Sequence, residues 1–341
     1  MMTRRLGRSE IRELLEDYGV RPTSSLGQNF VADPNTIERI ARLAGVGPGD
    51  KVLEIGAGLG SLTLALAETG ASVTAMEIDR RLVEALRSIL PAAVRVVAGD
   101  ALRADWSELL GDGALPAGGA GQPGGEEAAG AGRGWVLVAN LPYNVAATLV
   151  VDLLEHVPAV SRMLVMVQRE VGERLAARPG GREYGAVTVR VAYFATARVV
   201  GRVSAEVFHP RPKVESVLVE IERRGRPAVE ESVVSYGEML ALVRAGFSGR
   251  RKMLRRSLAG MVDEAAFACA GIVSTARAEE LSVEQWGMLA GCQRTAGQET
   301  DPSAAGPSGA ERGAAGPSGP RRGEPPTSGS KQSGPAPSRR G

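Results

Sequence analysis

The segment Val52-Leu53-Glu54-Ile55-Gly56-Ala57-Gly58-Leu59-Gly60-Ser61-Leu62-Thr63 decides the fold. It reads as an apolar strand that ends in a glycine turn and opens a helix, a geometry that brings backbone close to a bound cofactor. Side chains at Gly56 and Gly58 would obstruct that approach. Close strand-to-helix packing alone also uses such turns, so its meaning depends on context. Around it, apolar runs at 51–55, 72–77, 94–98 and 135–139 alternate with amphipathic helical stretches. This alternation predicts an α/β fold of Rossmann-like type, a doubly wound and mostly parallel sheet. Runs at 163–168, 187–193 and 216–221 are expected to extend the same sheet as further strands. From 230 to 294 the pattern is helical, with helices expected at 233–247, 250–261, 263–270 and 282–292. The expected organisation is a sheet domain over 1–224, a small all-α domain over 225–293 and a tail over 294–341.

Two acids fall where such a sheet binds adenosine. Glu77 closes the second strand in Ala75-Met76-Glu77-Ile78-Asp79, 21 residues beyond Gly56, an offset at which an acid accepts hydrogen bonds from ribose hydroxyls. Asp100 closes the third strand in Ala98-Gly99-Asp100-Ala101-Leu102, where a carboxylate can receive an adenine amine. A surface acid and a helix N-cap are the plainer readings of these positions. With the glycine turn they form one crevice at the carboxyl ends of three consecutive strands. A dinucleotide and S-adenosylmethionine both present an adenosine there, so these features do not separate them.

The chain has 341 residues, enough for one large domain and a smaller one. Its 41 basic and 39 acidic residues nearly balance, and without residues 294–341 the count is 34 basic against 35 acidic. Affinity for nucleic acid therefore has to come from local basic clusters. Cys269 and Cys292 are too few for a disulfide framework and have no metal-ligand spacing. They read as inert packing thiols in a reducing compartment. Residues 1–19 resemble neither a signal peptide nor an anchor, and no apolar run is long enough to span a membrane, so a cytoplasmic protein is expected. The tail is rich in Gly, Pro, Ser, Ala and Arg and reads as disordered. The stretch 111–134, with ten glycines and two prolines, reads as a flexible insertion.

The chemistry is chosen by Asn140-Leu141-Pro142-Tyr143-Asn144 at the end of the fourth strand. Adenine N6 is a poor nucleophile because its lone pair is delocalised into the ring. Acceptors aimed at both N6 hydrogens localise that pair, and the Asn140 side-chain oxygen and the Leu141 carbonyl are placed to supply them. Pro142 fixes the turn, and Tyr143 would stack on the base. No strong general base is required, so His209 and His156 read as structural.

At this point the sequence resembles the ribosomal RNA adenine N6,N6-dimethyltransferases, from about Arg21 to about Leu289 with the 111–134 insertion between. The resemblance implies a class I S-adenosylmethionine-dependent methyltransferase fold with a small helical domain, and S-adenosylmethionine as cofactor. Leu26-Gly27-Gln28-Asn29-Phe30 matches the segment that closes over the cofactor, which implies contacts from Asn29 and the Val31 backbone. Gly56, Gly58, Glu77, Asp100 and Asn140 occupy the other cofactor positions. Gln168-Arg169-Glu170-Val171 and Tyr184-Gly185 look like a loop and a strand entry bordering the target base. Phe208-His209-Pro210-Arg211-Pro212-Lys213-Val214 matches the family's proline-rich loop, where Phe208 would wall the base opposite Tyr143, although an aromatic before a proline turn is otherwise a packing residue. Arg211 replaces the middle proline common in the small-subunit enzymes, a variant tolerated by related drug-resistance enzymes of the large subunit.

The stretch 244–257 carries six basic residues and no acid. A solvated face is the ordinary explanation. Its density in a near-neutral core points instead to phosphate contact by Arg250, Arg251, Lys252 and Arg255. It matches the family's Phe-x-x-Arg-Arg-Lys signature, and Arg277-Ala278-Glu279-Glu280-Leu281-Ser282 matches its final helix entry. Both favour small-subunit ribosomal RNA within an assembling particle as the partner. A monomer without metal is expected. The alternatives are a large-subunit resistance enzyme, and an assembly or transcription factor that keeps the fold without catalysis.

Overall fold

A computed structural model describes residues 6–23, 27–111 and 134–299. The first half of the chain runs α1 (Arg8–Asp17), β1 (Phe30–Val31), α2 (Pro34–Ala44), β2 (Lys51–Ile55), α3 (Ser61–Glu68), β3 (Ser72–Glu77), α4 (Arg80–Ile89), β4 (Arg95–Ala98) and α5 (Trp106–Leu110). It continues with β5 (Trp135–Asn140), α6 (Ala146–His156), β6 (Val160–Gln168), α7 (Arg169–Leu175), α8 (Ala186–Phe194), β7 (Ala195–Val203), β8 (Phe208–His209) and β9 (Ser216–Arg223). Four helices follow: α9 (Tyr236–Ser248), α10 (Leu254–Ser257), α11 (Glu264–Cys269) and α12 (Val283–Glu299).

The sheet has the order β4-β3-β2-β5-β6-β9-β7. Strands β2 to β6 pair in parallel, and β9 lies antiparallel between β6 and β7. Alternate residues of the central strands face different cores. Leu53, Ile55, Leu137 and Ala139 pack with α6, while Val52, Val136 and Val138 pack with α2 and α3. Burial on both faces is why these strands read as continuous apolar runs. From β2 the chain winds outward through β3 and β4, then crosses back to β5 and β6. The switch point lies between β2 and β5, where an open α/β sheet places its ligand crevice.

Four expectations need correction here, one of them the helix at 250–261, of which α10 forms only Leu254–Ser257. Residues 187–193 are not a strand but helix α8, whose Val191 faces the sheet core while Val189 and Tyr193 face the core of the C-terminal helices. Buried between two cores, the helix shows no single apolar stripe, and its β-branched residues imitate a strand. Gly185 thus opens a helix, with its N–H held by the Thr188 hydroxyl. The strand is the next segment, β7, an edge strand with little burial. The cysteines are not free thiols: Cys269 and Cys292 form a disulfide between α11 and α12, their Cα atoms 6.0 Å apart. That pairing removes the ground on which two thiols favoured a reducing compartment. Helix α12 runs to Glu299, past the expected boundary at 294. The remainder of the expected tail, and the expected insertion apart from its end residues, lie outside the described residues.

The N-terminal segment forms amphipathic α1, whose Ile11, Leu14 and Leu15 pack with Phe30, Leu59 and Leu82. The C-terminal helices close their own core around Trp286, Phe267, Met239 and Leu254, shared with Tyr184 and Tyr193. Among the described residues no helix is long and apolar enough to cross a membrane.

Candidate active site

The glycine turn after β2 is held by N–H groups of Gly56 and Ala57 that both donate to the Met76 carbonyl, at 2.9 and 3.2 Å. Gly56, Gly58 and Gly60 have φ of 75°, 60° and 82°, the left-handed region that favours glycine. At Gly58 space is also short, since a Cβ would meet the Phe30 ring at 3.0 Å. At Gly56 a Cβ would find ordinary contacts, 3.6 Å and beyond, so conformation rather than obstruction selects glycine there. Gly60 leads into α3 without a side-chain cap, which leaves the first-turn N–H groups free to meet an anion.

One crevice brings together Asn29, Val31, Gly56, Gly58, Glu77, Asp100, Asn140 and Pro142. Glu77 is buried and accepts the N–H groups of Ile78 and Asp79 on Oε1 and of Gly58 on Oε2, at 2.9, 3.0 and 2.8 Å. Oε2 keeps room for a second donor. Burial raises its carboxyl above the ordinary range, opposed by those backbone donors. Asp100 is half-buried and accepts the Leu102 N–H on Oδ1 at 3.0 Å, so it shapes its own turn as well as lining the crevice.

Asn140, at the end of β5, donates its side-chain N–H to the Asn29 carbonyl at 3.0 Å. That bond fixes the amide's orientation and leaves Oδ1 as an acceptor. Leu141 is buried, with its N–H on the Met166 carbonyl at 3.1 Å, and the Pro142 carbonyl accepts the Val145 and Ala146 N–H groups. Tyr143 follows in this turn, half-buried, its phenol 2.8 Å from the Ser216 hydroxyl. Burial raises the phenol's pKa above the ordinary value, so it stays neutral.

The entry segment is tied on several sides. Phe30–Val31 pairs antiparallel with Phe208–His209, and the Gln28 side chain accepts the Thr23 N–H and donates to Asp79 at 3.2 Å. Gly27 sits so close to the turn at Pro142 and Tyr143 that a Cβ would lie 3.1 Å from the Tyr143 nitrogen. Leu26 lies outside the described residues. The β1–β8 pairing corrects the reading of Phe208. It is completely buried among Val31, Ile37 and Leu62, and offers no exposed face to a base. His209 is half-buried, and burial together with Arg12 and Arg8 keeps its pKa below the ordinary value.

Sequence reasoning missed Glu54, Gln28 and Ser216. Glu54 lies fully buried in the crevice wall, and its Oε2 has no hydrogen-bond partner among the described residues. Burial pushes the carboxyl up to about 8, with Thr63 opposing and Glu77 adding. A buried acid inside an otherwise apolar strand was the available signal.

The basic segment divides. Arg250 is committed within the protein, its Nε 2.7 Å from Glu279 and its terminal nitrogen on the Arg182 carbonyl. The two C-terminal motifs thus partly serve each other. Arg251, Lys252 and Arg255 are exposed, with no side-chain partner among the described residues. Tyr184, expected beside the target base, is buried among the C-terminal helices with its hydroxyl on the Leu281 carbonyl. Among the described residues no cluster of His, Cys, Asp and Glu could hold a metal.

The family described as ribosomal RNA adenine dimethylase matches residues 20–291. The chain belongs to that family. It is 44% identical over 297 residues to the ribosomal RNA small subunit methyltransferase A of Nocardia farcinica, covering 84% of this chain and 94% of the relative. The enzyme of the same name from Streptomyces griseus is 43% identical over 290 residues, with the same coverage. Among solved structures, the 23S rRNA methyltransferase ErmE superposes with a TM-score of 0.55 at 27% identity, covering 78% of this chain and 99% of that one. A dimethyladenosine transferase from Plasmodium falciparum shares the fold, with a TM-score of 0.56 at 23% identity over 75% and 94%.

As a ribosomal RNA adenine dimethylase the protein uses S-adenosylmethionine. The crevice fits it: Glu77 and Asp100 offer acceptors to the adenosine, the α3 N-terminus suits the carboxylate, and the unpartnered Glu54 oxygen suits the ammonium.

Proposed function

We propose that this enzyme dimethylates N6 of two adjacent adenines in the 3′-terminal hairpin of small-subunit ribosomal RNA, acting as a monomer on an assembling particle in the cytoplasm. The names of its 43–44% identical relatives support the small subunit as target. The observation that carries the chemistry is the hydrogen bond from Asn140 to the Asn29 carbonyl, which leaves the Asn140 oxygen as acceptor. That oxygen and the Leu141 carbonyl accept the two N6 hydrogens and localise the lone pair, while Pro142 holds the turn. Tyr143 stacks on the base, as single bases are commonly held on aromatic faces. Asn29, Val31, Gly56, Gly58, Glu77, Asp100 and Asn140 hold S-adenosylmethionine, which supplies an electrophilic methyl group on sulfur when bound. The alkylated amine is acidic enough to lose its proton to water, so no residue need act as a strong base. The sheet domain, 1–224, carries this chemistry. The helical part, 225–293, meets RNA through Arg251, Lys252 and Arg255, which position it by its phosphates.

The test is methyl transfer from labelled S-adenosylmethionine to purified small and large ribosomal particles that lack the modification, followed by mapping of the labelled nucleotide. N6,N6-dimethyladenine near the 3′ end of small-subunit RNA is expected. Label confined to large-subunit RNA, the substrate class in ErmE's name, would overturn the choice of target. Particle binding without any label would mean a fold retained as an assembly factor.

A further inference from the structure

Tyr143 sits in a turn, where a side chain is held less firmly than on a strand. Its ring has to be in place before a base arrives, because a stacking partner that must first be ordered loses part of the stacking energy. The anchor available is the Ser216 hydroxyl, 2.8 Å from the phenol. Ser216 is the first residue of β9 and completely buried. It is fixed from both sides, opposite Gln168 of β6 and Val203 of β7. The preceding Glu215 carbonyl also accepts the Arg169 N–H at 3.0 Å. A hydroxyl on a strand paired along both edges is a rigid reference point. Ser216 is not among the residues that line the cofactor crevice.

We propose that Ser216 is a positioning residue for methyl transfer, its hydroxyl holding the Tyr143 ring in the orientation that receives the target adenine. This rests on the reading of Tyr143 as the stacking residue. The bond needs no ionisation of either group. Its loss frees the ring to turn, which lowers turnover without touching the cofactor.

The experiment measures single-turnover methylation of unmodified small particles, and S-adenosylmethionine affinity by calorimetry, for the full chain and the variants Ser216→Ala, Tyr143→Phe, their double, and Tyr143→Ala. Ser216→Ala and Tyr143→Phe are each expected to slow turnover by about three- to tenfold, the range of one hydrogen bond. Cofactor affinity should be unchanged, and the double variant no slower than either single. Tyr143→Ala should be slower than all of them. Effects that multiply in the double variant would overturn the tether, as would a loss of cofactor affinity in step with rate. Full rates for Tyr143→Phe and Ser216→Ala with a slow Tyr143→Ala would overturn the tether and leave the stacking residue standing. A full rate for Tyr143→Ala would instead remove the stacking reading on which it rests. Should Ser216→Ala fail to fold, Tyr143→Phe breaks the same bond from the less buried partner, and a full rate there overturns the proposal.

Discussion

The crevice and the basic C-terminal segment are both dense in motif residues, yet the fold uses them differently. In the crevice, polar side chains bond to backbone and keep a valence open: Glu77 takes three N–H groups and retains room on Oε2, and Asn140 gives its N–H to Asn29 and retains its oxygen. In the basic segment, Arg250 pairs with Glu279 and bonds the Arg182 carbonyl, while Arg251 and Lys252 stand exposed beside it. Backbone partners position a group and leave its chemistry available. Side-chain partners of opposite charge complete one another, and the residue becomes architecture. Three adjacent cations in one motif therefore differ in what they meet: Arg250 is paired, while Arg251 and Lys252 are exposed.

The sharpest test of this contrast is Asn140→Ala. It removes the oriented acceptor and should lower turnover by about a hundredfold or more, the scale of losing a preorganised hydrogen-bonding group. Cofactor affinity measured by calorimetry should fall much less. Equal losses in both would make Asn140 chiefly a cofactor ligand.

Next in size is Glu54, the crevice acid whose Oε2 has no partner among the described residues. Its folded-state pKa, about 8, lies above the ordinary 4.5, so the folded protein holds this proton more tightly than the unfolded chain. The stability this confers is fully present below about pH 4.5 and is lost as pH rises through about 8. Glu54→Gln should lessen that loss by on the order of a few kcal/mol, read from urea denaturation of the ligand-free protein across the window. An unaltered pH profile would mean that the carboxyl ionises freely.

Smaller effects separate the neighbouring cations. Arg250→Ala should lower stability by about 1 kcal/mol, as expected for a partly exposed ion pair with an added backbone bond. Arg251→Ala and Lys252→Ala should leave thermal unfolding unchanged and weaken particle binding. Each should reduce the salt slope of binding by about one. Identical behaviour of all three would erase the distinction.

Much of the sheet was legible because its strands are buried on both faces and appear as apolar runs with acids or glycines at their ends. The grouping of residues in the crevice was legible for the same reason, since a parallel sheet gathers the ends of consecutive strands. Helix α8 was not legible, because burial between two cores removed its periodicity. Edge strand β7, Ala195–Val203, escaped because little of it is buried.

The sequence by itself determined the parallel sheet, the glycine turn and the grouping of Glu77, Asp100 and Asn140, since each follows from local pattern and chain order. Only the tertiary structure decided which polar groups remain available. It buried Phe208 against β1, engaged Arg250 with Glu279, joined Cys269 to Cys292 and brought the Ser216 hydroxyl to the Tyr143 phenol. Each of these depends on a partner distant in the chain, and local pattern carries no information about what a side chain meets once the chain has closed.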